Sequence, residues 1–159
     1  MRTLGLIAGS LLIAGAAHAQ ADSVKPASVR LSEQAAAALS KQQFTEAADL
    51  FETALAVDPR NRAAFVGLAR TAKAQGLPGK AVRFYREALQ LDPNDLVALE
   101  GQGEALVQRG AKAAAQANLD RIRVLCKAEC APAKRLAGVI AAAPVVTAAT
   151  VTPAAPAKN

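Results

Sequence analysis

The chain has 159 residues, room for one domain, and 52% of them are hydrophobic but only 3% aromatic, so its core is expected to use small aliphatic side chains. The single histidine lies in an apolar leader; a chain that has lost it lacks the commonest neutral-pH general base and metal ligand, which counts against an enzyme. The net charge of +6 would suit nucleic acid, but export and the near absence of stacking aromatics oppose that partner, and no motif calls for a cofactor.

The leader is MRTLGLIAGSLLIAGAAHAQ, with a basic start at Arg2, an apolar run from Leu4 to Ala17 and the small-x-small triplet Ala17-His18-Ala19. A bilayer span needs about 20 apolar residues, and this run is shorter, so the pattern predicts a secretory signal peptide over 1–19 cleaved between Ala19 and Gln20. The alternative is an uncleaved anchor. No cysteine stands near the cleavage point to accept a lipid. Export across the inner membrane into a periplasm follows if the source is Gram-negative, with membrane contact confined to the transient leader. Residues 20–27 are then a short linker.

From Ser28 onward the chain repeats itself. Setting Pro59 over Pro93 gives a 34-residue period and three windows, 28–61, 62–95 and 96–129. Small residues form columns: Ala35, Ala69 and Gly103; Ala47, Ala81 and Ala115; Ala54, Ala88 and, as an exception, Ile122. A large residue stands between the last two columns, namely Phe51, Tyr85 and Leu119. Helices approach closely only where facing side chains are small, and a bulky residue fills the hollow beside them. Each window therefore reads as a helical hairpin. In the middle one the periodicity predicts helices over Ala63 to Gln75 and Lys80 to Leu91, separated by GLPG and stopped at Asp92-Pro93.

These positions resemble the tetratricopeptide repeat family, most fully in the middle window, where Phe65, Leu68, Ala69, Ala81, Tyr85, Ala88 and Pro93 fall on signature positions; Ala47, Phe51, Ala54 and Pro59 echo them one window earlier. Gln34 and Gln102 depart from an expected large apolar residue, and Ala38 and Ala72 from an expected aromatic. The resemblance implies an all-α fold, a short right-handed solenoid of about three hairpins. After it, Cys130 to Ala143 reads as a helix capping the exposed end of the stack, with Leu136, Val139 and Ile140 on one face. Residues 144–159, rich in alanine, proline and threonine, read as a disordered tail.

Three features could carry function. Cys126 and Cys130 span the break before the capping helix, where a bend could bring them into bonding range; a disulfide clipping the cap in place fits an oxidising compartment. The alternatives are free thiols or a redox-active pair, which would make the chain a thiol oxidoreductase, although the spacing differs from that of dithiol motifs. The second feature is charge. Residues 20–59 hold six acids against three bases, whereas residues 60–93 hold seven bases against two acids, arranged either as solvated helix faces or as a patch steering an acidic protein or peptide.

The third feature comes from the resemblance, which implies a concave surface lined by the first helix of each hairpin. Its lining would include Ala63, Val66, Arg70 and Lys73, then Val97, Glu100 and Glu104. Glu100 and Glu104 repel mildly at four-residue spacing. They are expected to be solvated, to pair with Arg70 or Lys73, or to face a bound segment of mixed charge. The basic and amide positions with which some family members clamp a terminal carboxylate hold Ser32, Ala36, Gly67, Val97 and Gly101. The reading is a non-enzymatic protein-binding scaffold, or alternatively one that assembles with copies of itself or with an envelope complex.

Overall fold

A computed structural model describes residues 23–127 and 130–144. The expected leader, and all of the tail beyond Pro144, lie outside them. The described residues form seven α-helices: α1 Pro26–Ser40, α2 Phe44–Val57, α3 Arg62–Ala74, α4 Pro78–Leu91, α5 Leu96–Gln108, α6 Lys112–Cys126 and α7 Ala131–Ala142. Among these residues there is no strand. The fold is all-α.

Consecutive helices pair into hairpins α1–α2, α3–α4 and α5–α6, and α7 packs on both α5 and α6. The odd-numbered helices also touch one another in series, α1 to α3 to α5 to α7, while α2, α4 and α6 make no mutual contact. A stack with one row in contact and the other row splayed must curve. The contacting row forms its inner face.

The small-residue columns occupy the interfaces. Ala35, Ala69, Ala47, Ala81, Ala115, Ala54, Ala88 and Ile122 are all fully buried, and Phe51, Tyr85 and Leu119 are almost so. Glycine permits the closest approaches. A Cβ on Gly67 would stand 2.1 Å from the Phe51 ring, and one on Gly101, 34 residues later, would stand 2.3 Å from the Tyr85 ring. Each ring thus rests on the first helix of the next hairpin, which links neighbouring repeats. Ala38 and Ala72, where an aromatic was expected, are buried instead. Gln102, in place of an apolar residue, accepts a hydrogen bond from Asn118 Nδ2 at 3.0 Å and donates to the Val82 carbonyl at 3.3 Å. A polar bridge replaces apolar packing there.

Helix ends follow local chemistry. Asp58 and Asp92 leave α2 and α4 in extended conformation immediately before Pro59 and Pro93. Asn61 Oδ1 caps α3 by accepting from Ala64 N, and Asp95 Oδ1 caps α5 by accepting from Val97 N and Ala98 N. Two boundaries differ from expectation. Helix α4 begins at Pro78 rather than Lys80, because proline's fixed φ and missing donor suit a first helical turn. The expected linker 20–27 is helical from Pro26 for the same reason, and Asp58 Oδ2 accepts from the Lys25 backbone N–H at 2.9 Å, tying that start to the end of α2.

Candidate binding groove

The inner face carries a groove of about 480 Å³ running across α1, α3 and α5. Its apolar surface includes Val29, Ala36, Ala63, Val66 and Val97, and its charged edge includes Glu33, Arg62, Arg70 and Asp95. An adjoining polar recess of about 230 Å³ shares Arg70 and Val97 with it and adds Lys73, Tyr85, Glu100, Glu104 and Arg135. The seven residues proposed as groove lining all border one or both of these spaces. Val97 is 45% exposed and Val29 also lies open, so the floor offers apolar surface to a ligand.

Helix α1 contributes as implied for the first helix of each hairpin, but of its lining residues only Ser32 and Ala36 were named from the sequence, not Val29 and Leu39. Val29, Ser32, Ala36 and Leu39 stand 34 residues before Ala63, Val66, Arg70 and Lys73, and all four border the groove. Extending the repeat register backwards would have found Val29 and Leu39. Nothing comparable announced Arg135, which reaches from α7 to grip Glu100, its Nη2 donating to Oε2 at 2.7 Å. That pairing corrects the expectation of solvated glutamates. Glu100 is only 8% exposed, and its charge is met by Arg135 rather than by Arg70 or Lys73. Glu104 does pair with Lys73, and Arg62 pairs with the buried carboxylate of Asp95. The mild repulsion between the two glutamates is therefore offset by one cation each.

Electrostatics at the recess are set by burial and by these pairs. Tyr85 is 1% exposed, and desolvation pushes its hydroxyl up to about 12, partly opposed by the neighbouring Arg70 charge and hydrogen bond. Hydrogen bonding to Glu100 raises the Arg135 guanidinium further above its ordinary value. Cys126 and Cys130 border neither space. Their sulfurs are joined across the α6–α7 turn with Cα atoms 6.1 Å apart, and both side chains pack beside the apolar cluster of Leu99, Leu119, Ile122 and Leu136. Lys127, left-handed at φ 55°, turns the chain between them.

Residues 32–95 match the family model described as tetratricopeptide repeat. Solved structures agree on the fold. The Sgt2 tetratricopeptide-repeat domain from Aspergillus fumigatus superposes with a TM-score of 0.68 at 22% identity, over 74% of this chain and 78% of that one. The Arabidopsis OM64 domain gives 0.67 at 19% identity, over 72% and 94%. The Yersinia enterocolitica type III secretion chaperone SycD, in complex with a peptide of the translocator YopD, gives 0.66 at 20% identity, over 72% and 89%. A search of curated proteins found no match. In this stack of helical hairpins, α7 takes the place of the first helix of a further hairpin, since it packs on α5 and α6 as α3 packs on α1 and α2, and as α5 packs on α3 and α4.

Proposed function

We propose that the protein is an exported scaffold that binds a protein segment in its inner groove without catalysing a reaction. The observation that carries this reading is the groove itself, an open space of about 480 Å³ with an aliphatic floor, two exposed valines and a charged edge. A short segment could bury its side chains there. The peptide in the SycD structure supports the reading, since that fold holds a ligand of this kind. The basic start, short apolar run and Ala17-His18-Ala19 triplet support export with cleavage after Ala19, and residues 144–159 would follow as an unstructured tail. In an oxidising compartment Cys126 and Cys130 would persist as a disulfide that fastens the cap.

Site-specific photo-cross-linking in the native cell envelope tests the reading. A photoreactive residue at Val97, on the groove floor, should capture a defined polypeptide identifiable by mass spectrometry. The same residue at Val124, which is 76% exposed on α6 and outside the groove, should not. Equal capture at both positions, or at neither, would sink the groove reading. Capture of a second copy of this chain at Val97 would select the homotypic scaffold, and light scattering would then show a dimer.

A further inference from the structure

Resting on the groove reading, the charges around the groove specify what kind of segment fits. Four cations and four anions border the groove and its recess: Arg62, Arg70, Lys73 and Arg135 against Glu33, Asp95, Glu100 and Glu104. Three pairs are internal, joining Arg62 to Asp95, Lys73 to Glu104 and Arg135 to Glu100. Among the described residues, Arg70 and Glu33 remain without an ion-pair partner. Both are exposed, and aliphatic groove surface lies with them. Charges already matched within the protein gain little from a ligand, because a new ion pair there must break an old one. Unmatched ones can pair with a ligand without breaking an internal pair.

We infer that the occupant is a short segment presenting an acidic side chain to Arg70, a basic side chain to Glu33 and small aliphatic side chains to Val29, Val66 and Val97. Arg70 stands where the groove and the recess meet. It borders the recess together with the buried Tyr85, whose ring rests on Gly101. The internal pairs contribute specificity: a segment with its charges in the wrong order meets like charge and no free partner.

Panning a random dodecapeptide display library on the full mature chain tests this, with Val97→Asp as the reference for groove dependence. Enriched peptides whose binding is lost in Val97→Asp should carry an acid and a base bracketing Ala, Val, Leu or Ile. Arg70→Gln should erase the selection for the acid, and Glu33→Gln the selection for the base. For one enriched peptide, Arg70→Gln should weaken binding roughly 10- to 100-fold, the effect of losing a charge-assisted hydrogen bond. Groove-dependent peptides with no charge preference, or with a preference that survives Arg70→Gln, would overturn the inference and leave the groove reading standing. Failure to enrich any peptide sensitive to Val97→Asp would overturn both.

Discussion

At the scale of single residues, two titrations report the local environments directly. Tyr85 is the only tyrosine and there is no tryptophan, so the rise in tyrosinate absorbance belongs to one group. Its hydroxyl should ionise near pH 12 in the folded chain and near the ordinary 10.0 in denaturant. A pKa raised on folding stabilises the native state below the unfolded value and ceases to do so as pH climbs through the folded one, so this contribution fades between about pH 10 and 12. A folded-state midpoint at 10 would contradict the burial of the ring edge. Asp58 behaves in the opposite sense. Arg60's side chain, with the backbone N–H groups of Lys25 and Arg60, holds its carboxyl down at about 2 against an ordinary 3.8. A depressed pKa stabilises above the unfolded value, and that contribution is lost as pH falls from about 4 to 2. Wild type should therefore melt higher than Asp58→Asn at neutral pH, with the gap closing across that acid window. A constant gap would remove the charge from the account.

At the scale of helices and turns, the repeat makes one hairpin a control for the next. The turns between paired helices place Gly76 and Gly110 at φ 72° and 76°, and the equivalent position of the first hairpin is Gln42 at φ 60°. A left-handed conformation costs a side chain roughly 1–2 kcal/mol, against roughly 0.5–1 kcal/mol for the greater freedom of glycine in the unfolded chain. Gln42→Gly should accordingly raise stability slightly, by up to about 1 kcal/mol, as seen in denaturant unfolding. Gly67→Ala should act more strongly in the other direction. The added methyl meets the buried Phe51 ring, and overpacking of this kind costs about 1–3 kcal/mol. An unchanged melting temperature for Gly67→Ala would mean the ring does not bear on α3. The columns of alanine were legible in the sequence because burial between helices tolerates nothing larger, and they placed the interfaces. The boundaries at Pro26 and Pro78 were harder to read. Proline both ends a helix and begins one, and the pattern alone does not say which.

At the scale of the whole molecule, curvature and the groove followed from the period, since the register that aligns Val97 with Ala63 also aligns Ala63 with Val29. Arg135 could not be read in that way. It stands 34 residues after Gly101, in a slot occupied by glycine in the two preceding hairpins, and its value lies in a contact with Glu100 that only the docking of α7 creates. That docking is also where the stack should be weakest. A linear array owes its stability to neighbour interfaces, and among the described residues α3–α4 has a hairpin on each side, whereas α7 is packed on one side only. Amide exchange should be slowest in α3 and α4 and faster in α7. The link between Cys126 and Cys130 closes a loop of five residues, for which chain entropy gives about 2 kcal/mol. Replacing both cysteines by serine should therefore speed exchange through α7 and loosen the Arg135–Glu100 pair, leaving α3 and α4 unaffected. Protection lost evenly across all seven helices would show that the stack melts as one body and that the fastening at Cys126 and Cys130 is not a local device.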